Sequence, residues 1–217
     1  GRNAMGANTS GSSNCAIGIN AMQSNTTGNL NCSMGDSALY SNTSGTENTA
    51  IGYVAGRALT TGNYNTAFGS NALVHNTTSD ENTAIGRSAM HQLTTGSLNT
   101  AVGYRALHDI TTGIKNAVIG NIACHKVTTG NRNAVVGYEA LQTCTTGSNN
   151  TAIGNSALFY LTTAGENTAI GKGAGSNLTT GTGNVCLGAA AQVSAADGSY
   201  ANVIGFNVSG EGGYTTI

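Results

Sequence analysis

The chain has no proline and no tryptophan, and aromatic residues make up 5% and charged residues 8% of its 217 positions. Each shortage closes off a class of protein. A collagen triple helix is excluded, because proline is absent and glycine does not recur at every third residue. A disordered tail is a poor fit as well, since such segments are rich in charge and proline and poor in β-branched residues. The eight Lys and Arg are scattered and the net charge is −1, so the chain has no basic face and nucleic acid is not an expected partner. No run of 18 apolar residues occurs, and neither a signal-peptide pattern nor an initiator Met is seen, so membrane insertion by this segment is not expected. Acidic residues are too few for calcium-binding repeats, and the Gly-Gly-X-Gly-X-Asp signature is missing. Nothing pairs a nucleophile with a base, so neither catalysis nor a cofactor is expected.

Glycine is plentiful, with 32 residues, and twelve of them stand 17 apart without slippage: Gly18, Gly35, Gly52, Gly69, Gly86, Gly103, Gly120, Gly137, Gly154, Gly171, Gly188 and Gly205. A fixed period of this kind marks a solenoid whose units cannot bury their apolar faces alone. Other positions keep step with the glycine. Four residues before it stands Asn, including Asn48, Asn65, Asn82, Asn99, Asn116, Asn133, Asn150 and Asn167. One residue before it the position is large and apolar, as in Ile17, Met34, Ile51, Phe68, Ile85 and Val102. Three residues after it comes Ala, usually followed by Leu or Met, and many units close on Thr-Thr-Gly, as at 26–28, 60–62 and 128–130.

A helical pair would need about twice this length, so the pattern predicts an all-β parallel β-roll (β-solenoid) of 17-residue coils over residues 14–205. Irregular coils are expected at 1–13 and 206–217, in a chain that is a piece of a longer fibre. Each coil is read as two short strands, Asn-Thr-Ala-Ile and Ala-Leu, with both the repeat glycine and Thr-Thr-Gly supplying positive-φ corners. Stacking at about 4.8 Å per coil gives a rod of roughly 55 to 60 Å. The in-register Asn residues are expected to form a side-chain ladder. A coil of this size has little interior, so a single rod would expose apolar surface unless several rods associate.

The run Thr-Thr-Gly, two residues, Asn-Thr-Ala-Ile-Gly, two residues, Ala-Leu resembles the head repeats of YadA-type trimeric autotransporter adhesins, and also the Asn-Thr-Ala-Ile-Gly arrays of phage and large-virus tail fibres. The likeness covers about residues 14–205 and is closest at 48–59 and 99–107. It differs from the adhesin heads in its longer, unvarying period. The resemblance implies a left-handed roll, a homotrimer around a threefold axis, and a place on the cell surface, outside the cell or on a virion. The function it implies is attachment to a host or surface, with a glycan or protein as receptor.

Three sets of residues stand out beside the repeat. His91, His108 and His125 share one position in three consecutive coils and are either a metal-chelating imidazole stack or a polar surface column, the latter because Tyr40, Arg57, Val74, Gln142 and Phe159 fill the same position elsewhere. Tyr53, Tyr104 and Tyr138 follow the repeat glycine, where they either stack on sugars or pack against an adjacent coil or chain. Cys15 and Cys32 occupy the same position in adjacent coils and are candidates for a disulfide, whereas Cys124, Cys144 and Cys186 sit where Leu, Ile or Ala recur and are expected to be buried. Asn-X-Ser/Thr sequons, as at Asn25 and Asn42, follow from composition. An ice-binding array would need Thr-X-Thr, because adjacent threonines in a strand point to opposite faces. The reading is a fibre segment, with an end-to-end self-assembling filament and a glycan-binding module as alternatives.

Overall fold

A computed structural model describes residues 1–211, 213, 215 and 216, so Tyr214 and Ile217 of the expected last coil lie outside the described residues. The chain divides into two compact units, Gly1–Thr112 and Gly113–Ile217. Each is a parallel β-solenoid, and no helix occurs among the described residues. Unit 1 stacks β1 (Cys15–Ile17), β2 (Cys32–Met34), β3 (Thr49–Ile51), β4 (Thr66–Phe68), β5 (Thr83–Ile85) and β6 (Thr100–Val102) in chain order. Unit 2 stacks β7 (Ala117–Ile119), β8 (Ala134–Val136), β9 (Thr151–Ile153), β10 (Thr168–Ile170), β11 (Val185–Leu187), β13 (Asn202–Ile204) and β15 (Thr215–Thr216), beside a separate pair of β12 (Gln192–Val193) and β14 (Ser209–Gly210). The register follows the sequence period, with Thr49 opposite Thr66 and Ala134 opposite Thr151.

The strand alternates with its middle residue inward. Ala50, Ala67, Ala84, Val118, Val135, Ala152 and Ala169 are buried, while the residues on either side turn outward. The rest of the core comes from the Ala-Leu segment, where Ala72, Leu73, Ala140 and Leu141 are sealed from solvent, and from the position just before the Thr-Thr turn, where Leu59, Leu93, Leu161 and Leu178 are buried. Except in the coil after β11, where Gln192–Val193 forms β12, the Ala-Leu segment is not a second strand, contrary to the sequence reading. It is a pair of turns, closed in one coil by Ala55 N donating to Gly52 O (3.3 Å) and Leu59 N donating to Gly56 O (3.1 Å). Leu39, Leu73, Leu107, Leu141 and Leu158 there adopt φ near +50°, and so do Val54, Arg105 and Glu139 two positions earlier. Alternating left-handed residues curl the backbone tightly enough to turn the Leu side chain into the narrow interior, at a steric cost of about 1–2 kcal/mol for each such residue. Coil-to-coil bonds such as Leu39 N to Ala55 O (3.0 Å) help offset that cost.

The two kinds of glycine separate, one as expected and one not. Gly137, at φ +146°, has the positive φ expected of the repeat position, and a Cβ there would stand 2.3 Å from the carbonyl oxygen of Gly154. Gly28, the Thr-Thr-Gly glycine, is not at positive φ, but a Cβ would meet Gly45 O at 2.4 Å. Close stacking of backbones, rather than turn geometry, requires glycine there.

The interior Asn residues hold successive coils together. Asn133 Nδ2 donates to Asn116 Oδ1 (3.0 Å) and to Gly147 O (3.0 Å), and Asn133 Oδ1 accepts from Asn150 N (3.0 Å) and Asn150 Nδ2 (3.1 Å). The same contacts recur as Asn65 to Asn48 (3.2 Å), Asn82 to Asn65 (3.2 Å) and Asn99 to Asn82 (3.2 Å) in unit 1, and as Asn167 to Asn150 (3.3 Å) in unit 2. Two further ladders accompany it. The first Thr of Thr-Thr-Gly donates its hydroxyl to the next Thr carbonyl, as from Thr26 to Thr43 O (2.9 Å). Asn25 and Asn42 continue a short buried amide run from Asn8, each step 2.9 Å. It ends at Asn42 Oδ1, which has no partner, because Leu59 fills that position in the next coil.

Candidate functional site

The surface most unlike its surroundings is the outer face of the strands. Since Ala occupies the interior, the large residue before each repeat glycine points into water: Ile17 and Phe68 are each 52% exposed in unit 1, and Ile119 is 49% exposed in unit 2. Met34 and Ile85 share the row in unit 1, and Val136, Ile153, Ile170 and Ile204 share it in unit 2. Neither outward strand position carries a charge in any coil. Charges flank the face instead, with exposed Asp36, Glu47, Glu81 and Arg87 in unit 1 and exposed Lys115, Arg132, Glu166 and Lys172 in unit 2. An uncharged apolar strip with a charged rim is how interaction surfaces are built. The sequence reading identified the apolar position but not its direction. The signal was the neighbouring position, held to Ala, Val, Ser or Cys because nothing larger fits inside the coil.

The tyrosines do not form one platform. Tyr53 is exposed, but Ser70 and Arg87 occupy its position in the next two coils before Tyr104 follows. At about 4.8 Å per coil the two rings are some 14 Å apart. Tyr104 is approached by two guanidinium groups, Arg105 at 5.4 Å and Arg87 at 5.7 Å from its ring centre. Tyr138, in unit 2, is exposed, and the neighbouring Glu139 carboxylate pushes its pKa up by hydrogen bonding and by charge. In unit 1 Arg57 lies over Tyr40 at 5.8 Å, and Tyr40 closes an open groove of about 450 Å³ lined also by Asn3, Gly6, Ala7, Gln23 and Ser24. The groove exists because Gly6 has no side chain where later coils carry Gln23, Tyr40 and Arg57.

Among the histidines, His91 and His108 stack in unit 1 with ring centres 4.9 Å apart and planes 5° from parallel. His75, which the sequence reading missed, lies one position further along its coil, yet its ring meets His91 edge-on at 4.9 Å. His108 Nδ1 is 2.6 Å from Asp109 Oδ1. His91 Nδ1 is buried without a partner, and its pKa is pushed down, first by loss of solvent and then by the charges of His108, His75 and Arg105. His125 belongs to unit 2. Cys15 and Cys32 are paired in register on β1 and β2 and are free thiols, while Cys124, Cys144 and Cys186 are buried.

No protein-family model, no curated protein and no solved structure matches this chain.

Proposed function

We propose that the chain is a structural and adhesive segment of an extracellular or virion fibre, assembled as a homotrimer through its uncharged strand faces and serving attachment to a host or surface. The observation that carries this reading is the exposed Ile, Met, Phe and Val row on the outer strand face of each unit. Burying a half-exposed side chain of this size contributes about 1 kcal/mol. Six outward positions in a unit therefore offer about 6 kcal/mol before the cost of association, and the flanking charges limit how copies align. The ladders and the turn-only connections suit a load-bearing, protease-resistant element, and no reacting group is needed for that role. Residues that vary from coil to coil, Tyr53 and Tyr138 among them, are the ones free to meet a receptor, whether a glycan or a protein.

Sedimentation equilibrium of the wild type and of Phe68→Asp and Ile153→Asp variants tests the assembly. The wild type is expected at three times the chain mass, and each Asp substitution is expected to shift the population toward monomer. A wild type that stays monomeric at tens of micromolar overturns the reading.

A further inference from the structure

Burial divides the five cysteines into two groups. Burial pushes the Cys144 and Cys186 thiols up to about 11 and that of Cys124 well above its usual value, so all three are protonated and shielded. Cys15 is exposed and Cys32 partly so. They are Cα partners on adjacent parallel strands, and the residues that follow them, Ala16 and Ser33, turn toward the interior. Both thiols therefore project from the outer face side by side, at the same position of adjacent coils.

Strand spacing decides what such a pair can hold. Cys15 N donates to Asn31 O and Cys32 N to Asn48 O, both at 2.8 Å, which holds the strands at the usual ladder spacing. In-register residues on parallel strands carry their Cβ atoms roughly 4.8 Å apart. A disulfide needs about 3.8 Å between Cβ atoms, so forming one requires two coils to approach against their own ladders. A soft ion seated between the two sulfurs holds them roughly twice as far apart as the ~2.05 Å S–S bond does, and requires no such movement. The next residue in the column is Thr49, and no third His, Cys, Asp or Glu joins the pair among the described residues. Two sulfur ligands and nothing else suit a monovalent thiophilic ion that accepts linear coordination.

We propose that Cys15 and Cys32 form a two-thiolate clamp for a soft thiophilic ion of the Cu(I) class, tying β1 to β2. Each thiol gives up its proton as its sulfur binds, so one Cu(I) and two thiols yield a bis-thiolate anion and two protons, and uptake strengthens as pH rises. The inference does not rest on the fibre reading.

The test is anaerobic competition for Cu(I) against bathocuproine disulfonate, using the full reduced chain and also the Phe68→Asp variant, in which neighbouring copies no longer cover the face. One equivalent is expected to bind, more tightly at pH 8 than at pH 6. Cys15→Ser and Cys32→Ser are each expected to weaken it by about 100-fold or more, because the second thiolate acts at high effective concentration. Cys186→Ala, which installs the residue usual at its position, is expected to change nothing. The proposal is overturned if neither wild type nor Phe68→Asp takes up the ion, or if the double Ser variant binds as well as wild type. It is also overturned if glutathione disulfide converts the pair quantitatively to an intramolecular disulfide.

Discussion

Replacing Asn133 by Ala removes one rung of the interior ladder and leaves its neighbours identifiable. Asn116 Oδ1 still accepts from the backbone N–H of residue 133 (3.0 Å), and Asn150 Nδ2 still donates to Ala164 O (3.1 Å). Two buried groups lose their partner outright: the Gly147 carbonyl and the Asn150 N–H. At about 2 kcal/mol for each stranded group, the loss is about 4 kcal/mol, or several hundred-fold in the local opening equilibrium. A solenoid distributes stability coil by coil, so a single melting temperature would average the effect away. Native-state hydrogen exchange resolved by peptide is the appropriate assay. Amides of residues 147–153 are expected to lose protection by that factor, while those of β11 change little. Thr146→Ala, at an exposed position in the next coil, is the control and is expected to cost less than about 0.5 kcal/mol. A loss below about 1 kcal/mol for Asn133→Ala would refute the view that the ladder carries the stacking.

Gly137→Ala combines a backbone at φ +146° with a Cβ 2.3 Å from Gly154 O, and is expected to cost at least about 3 kcal/mol. Gly173→Ala meets only Ser176 Oγ at 3.9 Å, and denaturant unfolding is expected to register only its left-handed φ, about 1 kcal/mol. Ser33 occupies the inward position that Ala holds in neighbouring coils, and its buried hydroxyl has no partner. Ser33→Ala is therefore expected to stabilise unit 1 by about 1 kcal/mol, and destabilisation would contradict the burial assigned to that position. His91 has a folded-state pKa below its usual 6.5, so its contribution to stability is fully present above pH 6.5 and is lost as pH falls through the folded-state value. The positive groups facing it are His108, His75 and Arg105, with Asp109 opposing them. Hydrogen exchange around residues 88–93 is expected to accelerate on acidification in the wild type and to lose that dependence in His91→Gln.

Period and register were legible because glycine and asparagine are each chosen for a backbone contact that every coil repeats, and such contacts tolerate no drift. The coil's cross-section was harder to read. Ala-Leu looks like a strand fragment by composition, and only the backbone reveals Leu73 or Leu141 at positive φ, a conformation that branched apolar residues rarely adopt. The outward direction of Ile17 or Phe68 was hidden by the usual association of large apolar residues with a core, which fails here because the inward strand position takes only small side chains and the Leu residues of the turns fill the remaining interior. The Asn8, Asn25 and Asn42 run escaped notice because Leu59, Leu93 and Val127 replace it further along, so its position never reads as constant. His75 was missed because ring contact depends on a side-chain rotation that spacing does not encode.

The coil-to-coil register described for Thr49 and Thr66 has a genetic consequence. Inserting or deleting one residue would displace the glycine, the asparagine and the threonine from their partners at once. Adding or removing a whole coil leaves every contact with an equivalent neighbour. Unequal recombination between repeats can therefore change the length of such an array only in whole coils, so related chains should differ in length by multiples of 17 residues.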